Sequence, residues 1–385
     1  MTTLVLAPDK FKGSLTAPEV VDALTAGIRL RRPDVTVVAR PVADGGEGTL
    51  DAFLAAGFVA VPAMAAGPWD TRRHTTRIAV RGSTAVVEMA ASIGGAPRRD
   101  NPLTATTLGV GHLVRHALDM GCTDIILALG GSVSTDGGAG MLQTLGAVLQ
   151  THRGRPLPLA YNAIANAASL DLTDLDPRLS RTAFTLAADV TNPLLGASGA
   201  AAVFSPQKGA TPAQVVLLEN RLRRWGELVN AATNTDMTSA PGAGSAGGTG
   251  FGAMAVLGAR FRRGVDVVRD VVQLDDAVAG ATLVVTGEGC LDTQSLHGKA
   301  PMGVAECARA QRVPVIAVAG TVRLDRRQAR AAGFSATYAL TDVEPNRAAA
   351  MSRAADLVTM IGDRIAERHL GPQPTLTSLR RVEAS

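Results

Sequence analysis

Short apolar runs that stop at Gly, Asp or Pro and alternate with helical patterns constrain this chain more than any other feature. The runs occupy residues 4–7, 35–39, 125–129, 184–187, 282–285, 315–319 and 337–340. Runs this short and predominantly apolar read as buried strands. Helical patterns lie between many of them, over residues 18–30, 108–120, 212–231, 303–312 and 346–369. Such alternation predicts an α/β protein with parallel sheets and helices packed on their faces. The rhythm breaks once, at residues 76–89, where two alternating segments flank Arg81-Gly82-Ser83-Thr84 and predict an antiparallel hairpin. One domain change is expected near that hairpin and a second in the Gly/Ala/Ser-rich stretch 238–252 or soon after it.

At 385 residues the chain exceeds the size at which one hydrophobic core usually stops growing, so two domains are expected. Apolar residues make up 46% and charged residues 19%, which suits a compact protein. Aromatics are only 3%, too few for the stacking platforms of single-strand binders, and nucleic acid is not expected as a partner. The net charge is +4; the cluster Arg260, Arg262, Arg263 and the tail pair Arg380, Arg381 read as solvated surface, with an anionic small substrate as the alternative. Three cysteines without paired spacing indicate neither a disulfide framework nor a zinc site, and point to a reducing, cytoplasmic setting. Asp9 interrupts the first apolar run before a signal-peptide core could form. No stretch approaches the ~20 apolar residues of a membrane span, so no membrane partner is expected.

The segments that follow the strands hold the chemistry, because in open α/β sheets ligands gather at the carboxyl ends of strands. Asp9, Lys10, Lys12 and Ser14 follow the first strand, where two lysines beside a Gly-Ser turn suit phosphate or carboxylate; a capped helix start with solvated lysines is the plainer alternative. Asp44 and Glu47 stand three residues apart among glycines, in a segment that reads as a ligand loop or a plain turn. The richest segment is 130–140. There a strand runs into Gly130, Gly131, Ser132, Ser134, Asp136, Gly137 and Gly138 before a helical pattern resumes, the composition of an anion site at a helix start.

Asp189 ends another apolar run, with Asn192 soon after; such a carboxylate serves as a general base or as a helix cap. The glycines around Gly248 invite comparison with dinucleotide loops, but no strand precedes them and no Rossmann unit surrounds them, so a phosphate-covering loop and a linker both remain open. Glu288, Asp292 and Lys299 follow the strand at 282–285. Two carboxylates and a lysine are ingredients of phosphoryl transfer, though Lys299 is followed by Ala300, and the segment is not a Walker A loop. The six histidines show no metal-ligand spacing; His112 and His116 lack an intervening zincin Glu and read as core or surface residues.

Together, in order along residues 4–368, these segments resemble the type-1 glycerate kinase family. The resemblance implies a flavodoxin-like parallel-sheet domain formed by both chain ends (1–75 and 285–370), an inserted mixed α/β domain (76–284) and a loose tail (371–385). It implies transfer of a phosphoryl group from ATP, with Mg²⁺, to D-glycerate, the 2-hydroxyl being favoured over the 3-hydroxyl. On that basis Asp189, Lys10 and Lys12 are the expected catalytic residues, and Asp9, Ser14, Asp44, Glu47 and Asn192 the expected substrate contacts. The resemblance assigns Gly130, Gly131, Ser132, Ser134, Asp136, Gly137, Gly138, Gly248 and Lys299 to ATP, and Glu288 and Asp292 to the metal. Two departures stand out: Lys10 replaces the Ser of many relatives, and Thr135 replaces a common Asn. Other readings are a kinase of a related small hydroxy acid, an NAD-dependent hydroxy-acid dehydrogenase, which lacks its strand-borne glycine fingerprint, and a non-catalytic ligand-binding regulator.

Overall fold

The computed structural model describes residues 2–93, 102–159 and 162–371. Its strands are β1 (Thr3–Pro8), β2 (Thr36–Ala39), β3 (Val59–Ala66), β4 (Arg73–Arg81), β5 (Thr84–Glu88), β6 (Asp124–Ala128), β7 (Val148–Gln150), β8 (Ser169–Asp171), β9 (Ala183–Ala188), β10 (Arg260–Arg263), β11 (Leu283–Leu291), β12 (Val315–Val322) and β13 (Phe334–Ala339). The chain forms two compact units, Met1–Ala43 with Arg269–Ser385, and Asp44–Val268. The tail expected from residue 371, with Arg380 and Arg381, lies outside the described residues apart from Gly371.

The first unit carries a five-stranded sheet in the order β13-β12-β11-β1-β2, and every neighbouring pair is parallel. Numbered within the unit, this is the 2-1-3-4-5 order of flavodoxin-like folds. Leu4, Leu6, Val285 and Val318 pack under the helices Ala17–Arg31 and Ala354–His369, and the helix Ala300–Ala310 packs against β1 and β11 as well. Cover on both faces is why β1 is apolar without alternation. The helix Ala17–Arg31 starts at a capping box: Thr16 Oγ1 accepts from the Glu19 N–H, and Glu19 returns the bond to the Thr16 N–H at 2.7 Å.

The second unit holds a mixed six-stranded sheet, β10-β9-β6-β5-β4-β3. The strands β5, β6, β9 and β10 run parallel, while β3, β4 and β5 form an antiparallel meander. The hairpin expected at 76–89 is β4–β5. The strand β3 had no sequence signal because Pro62 interrupts it, and its place at the sheet edge is where a strand tolerates proline.

Several expectations change. The compact units meet at 43/44 and 268/269, earlier than the boundaries at 75/76 and 284/285, because β3 pairs with β4 from Val59↔Val80 to Ala66↔Arg73. The arginine cluster at 260–263 forms the edge strand β10. The helical pattern at 346–369 divides into Arg347–Ser352 and Ala354–His369. The glycine-rich segment around Gly248 opens the helix Ser245–Leu257, where Ala246, Gly247 and Gly248 hold positive φ before regular turns begin. The strand β11 continues to Leu291, paired with Val322, so Glu288 lies within the strand instead of after it. Among the described residues no helix is long and apolar enough to cross a membrane.

Candidate functional site

In the first unit, the chain places β2 on one side of β1 and β11 on the other, so the strand order reverses between β1 and β11. That switch point is where open α/β sheets bind ligands. Pro8 is in register with Gly287, and the Asp9 N–H donates to the Gly287 carbonyl at 2.8 Å, which sets Asp9, just past the end of β1, beside Glu288 in the carboxyl half of β11. Asp9 is buried; its Oδ1 accepts from the Lys10 N–H at 2.6 Å, with Lys10 Nζ at 3.5 Å. Lys12 is exposed. Gly289 lies against the backbone at Phe11–Lys12, so a Cβ there would come within 3.1 Å of the Lys12 nitrogen. Lys299, just ahead of the helix Ala300–Ala310, brings Nζ to 3.8 Å from Glu288 Oε2. Ser14 spends its hydroxyl proton on the Phe11 carbonyl at 2.9 Å, closing the turn, and only its lone pairs are left for a ligand.

The donors here suit Mg²⁺ unevenly. Glu288 supplies a hard oxygen from the carboxyl half of β11, as a magnesium site built on one or two carboxylates, waters and substrate phosphates requires. Asp292 is committed to its own turn, Oδ1 accepting from the Gln294 N–H at 2.9 Å and the Ser295 N–H at 3.3 Å. Burial and the neighbouring Asp292 carboxylate push the Cys290 thiol up, which keeps it protonated and a poor metal ligand. Among the described residues no group of three or more His, Cys, Asp or Glu is placed to hold a metal.

The second unit gathers another set at the carboxyl ends of β5, β6 and β9. The loop with Asp44 and Glu47 lies over these ends: the Gly130 N–H donates to the Gly45 carbonyl at 3.1 Å, and Asp44 Oδ1 accepts from the Gly46 N–H at 3.2 Å. Gly130 permits this approach, since a Cβ on it would lie 2.3 Å from the Gly46 Cα. After β6, Gly131 is exposed and Ser132 partly so, whereas Ser134, Thr135, Asp136, Gly137 and Gly138 are buried. Asp189 is exposed just past β9, the strand adjoining β6. Asn192 Nδ2 donates to the Ser198 carbonyl at 2.8 Å, and the Asn192 carbonyl accepts from the Gly244 N–H at 2.8 Å, tying this segment to the glycines before the helix Ser245–Leu257.

The turn is braced from within. Asp136 has no exposed surface and accepts from the Thr107 N–H and Oγ1–H, both at 2.8 Å, and from the Gly138 and Gly140 N–H groups at 3.2 Å. Burial pushes its carboxyl up while these donors work against the rise. Asp136 therefore holds the turn together and has no face left for phosphate. Trp225 Nε1–H donates to the Gly137 carbonyl at 3.0 Å; Gly137 has φ +63, and a Cβ on it would lie 2.2 Å from the indole. Gly248 packs on Gly137 and Leu194, again as structure.

Two further buried residues of this unit were not among those expected from the sequence. Lys208, at the end of the short 3₁₀ turn Pro206–Lys208, is buried and donates through Nζ to Ser132 Oγ at 3.1 Å and the Ser134 carbonyl at 2.5 Å. A lone lysine between Pro and Gly reads as solvent-facing, and periodicity cannot reveal otherwise. Glu88, buried at the end of β5, accepts from the Leu50 N–H at 2.9 Å. Its position ending an apolar run, like that of Asp189, was the available signal.

Segments expected to act as one site thus sort by unit. Asp9, Lys10, Lys12, Ser14, Glu288, Asp292 and Lys299 belong to the first; Asp44, Glu47, Gly130–Gly138, Asp189, Asn192 and Gly248 belong to the second.

A model of the glycerate kinase family matches residues 4–370. The glycerate 2-kinase of Escherichia coli K12 is 42% identical over 343 residues, covering 88% of this chain and 90% of that protein. The glycerate kinase of Bacillus subtilis 168 is 38% identical over 342 residues, with 88% and 90% covered. A crystal structure assigned to glycerate kinase 2 of Salmonella typhimurium LT2 aligns over 100% of both chains, with a TM-score of 0.81 and 37% identity.

Proposed function

Because the chain belongs to the glycerate kinase family, an enzyme that phosphorylates glycerate, we propose that it transfers the γ-phosphoryl group of ATP to the 2-hydroxyl of D-glycerate, giving 2-phospho-D-glycerate and ADP. The observation that carries this reading is the adjacency, at neighbouring strand ends of the second unit, of the Gly130–Gly138 turn and Asp189. A turn rich in glycine and hydroxyls, opening onto the helix Ala139–Thr144, suits phosphate oxygens. A carboxylate at the next strand end suits the substrate hydroxyl.

In this reading the glycerate hydroxyl oxygen bonds to the γ-phosphorus as the bond to the β,γ-bridging oxygen breaks. The hydroxyl proton passes to the Asp189 carboxylate, and ADP leaves. Gly130, Gly131 and Ser132 hold phosphate oxygens, with Ser134, Asp136, Gly137, Gly138 and Gly248 shaping the turn from behind. Asp44, Glu47 and Asn192 line the same edge of the second unit and orient the hydroxy acid. In the first unit Lys10, Lys12 and Lys299 supply positive charge for anionic groups, with Asp9 steering Lys10. Mg²⁺ would be held by Glu288, with Asp292 contributing through water; when bound it neutralises charge developing on the phosphate oxygens. Positioning and electrostatics thus supply most of the rate enhancement.

The test is ADP release with ATP and Mg²⁺ across D-glycerate, L-glycerate, glycolate and lactate. Release dependent on D-glycerate is expected. Equal release with all four, or an absorbance change with NAD and glycerate, would refute the assignment.

A further inference from the structure

Lys208 is a buried cation whose hydrogen bonds are both made to the Gly130–Gly138 turn, one to the Ser134 carbonyl and one to Ser132 Oγ. The chemistry of that second bond is directional. An ammonium has donors and no lone pair. While it donates to Ser132 Oγ, the Ser132 hydroxyl keeps its own proton free to point elsewhere, toward the partly exposed end of the turn. A neutral amine does have a lone pair. It would accept the Ser132 proton while still donating to the Ser134 carbonyl, and the hydroxyl would lose its role as a donor.

We propose that Lys208 is a positioning residue that sets the hydrogen-bond polarity of Ser132, so that the hydroxyl donates to a nucleotide phosphate oxygen only while Lys208 carries its proton. This rests on reading the turn as the nucleotide phosphate site. The equilibrium is placed to matter: burial pushes the Lys208 pKa down to about 7, and the buried Asp136 carboxylate pulls the other way. Asp136 is the charged group acting on Lys208; the other atoms at its ammonium, the Ser132 hydroxyl and the Ser134 carbonyl, do not titrate in this range. Thr135 Oγ1 and Asn162, whose Nδ2 donates to the Thr135 carbonyl at 2.8 Å, complete the neutral polar surroundings of the turn.

The experiment is calorimetric binding of ADP to the full chain from about pH 6 to about pH 9, comparing wild type with Ser132→Ala, and Lys208→Arg with the double variant Lys208→Arg/Ser132→Ala. Each ratio of Kd values cancels the ionisation of the nucleotide itself, whose phosphate titrates near pH 6. A charge-oriented hydroxyl donor should make the wild-type ratio about tenfold at the acid end and close to one at the alkaline end. Arginine stays charged throughout, so its ratio should remain about tenfold at both ends. Lys208→Met, which removes the ammonium and also the lone pair that would capture the Ser132 proton, should show a ratio to Lys208→Met/Ser132→Ala that does not change with pH and should melt as a folded protein, which guards against a guanidinium that the site cannot house. A wild-type ratio that does not change with pH, or an arginine ratio that falls in parallel with it, overturns the switch. If Ser132→Ala binds ADP like wild type at all pH values, the reading of the turn as the phosphate site fails first, which separates the two failures.

Discussion

Lys299 Nζ lies 3.8 Å from Glu288 Oε2 at the switch point of the first unit's parallel sheet. A pair this long with a half-buried lysine contributes little to stability, on the order of 0–1 kcal/mol. Its value is then in ligand chemistry. Lys299→Met should leave the Tm within a few degrees of wild type but lower kcat/KM for ATP by about 10²-fold, the scale of one lost charge-stabilising donor. Steady-state kinetics beside thermal melting checks this. Glu288→Gln should raise the Mg²⁺ concentration needed for half-maximal rate, and Mn²⁺ binding followed by electron paramagnetic resonance should weaken in step.

Asp189 stands exposed past the end of β9, so its substitution should not disturb packing. Asp189→Asn keeps the shape and removes the base. The expected result is a kcat lower by ~10²–10⁴-fold with KM for glycerate nearly unchanged. Near-normal turnover would take the role away from Asp189.

Asp136 should behave oppositely. Asp136→Ala strands the buried N–H groups of Thr107, Gly138 and Gly140. Each unsatisfied donor costs about 1–3 kcal/mol, so the total loss should reach at least ~3 kcal/mol. Asp136→Asn, which keeps one acceptor oxygen, should lose less. Urea midpoints at constant m-value measure both.

His112 makes the folded state sensitive to acid. The Ala66 N–H donates to its Nδ1 at 3.2 Å, so that nitrogen must be unprotonated. Burial first, then Arg73 and Arg115, push its pKa from 6.5 down to about 4. The unfolded chain therefore takes up the proton before the folded one does. The contribution to stability is fully present above pH 6.5 and is lost as the pH falls from 6.5 toward 4. It amounts to roughly 2 kcal/mol after allowance for solvent screening. His112→Asn, whose Oδ1 can still accept from Ala66, should flatten that part of the stability-versus-pH curve in chemical denaturation.

The strands most legible in the sequence were those covered on both faces. Residues 4–7 and 315–319 are apolar without interruption because helices pack against β1 and β12. The edges of the second unit's sheet were not legible: Pro62 hid β3, and the arginines of β10 looked like loose surface, since an edge strand needs no apolar run. The Glu288 strand was cut short at Val285 because Thr286-Gly287-Glu288-Gly289 has turn composition, while parallel pairing to β12 carries it on to Leu291. At the site, glycine and carboxylate segments could be found because close approach and charge at strand ends leave a composition. Asp136 and Lys208 could not be sorted, since a carboxylate that braces and one that binds look alike until their hydrogen bonds are seen.

The central claim, phosphoryl transfer from ATP to the 2-hydroxyl of D-glycerate, is tested most directly by coupling the reaction to enolase in the absence of phosphoglycerate mutase. Only 2-phosphoglycerate then yields phosphoenolpyruvate. The account predicts phosphoenolpyruvate formed mole for mole with ADP. ADP release without phosphoenolpyruvate, restored when the mutase is added, would show transfer to the 3-hydroxyl and contradict it.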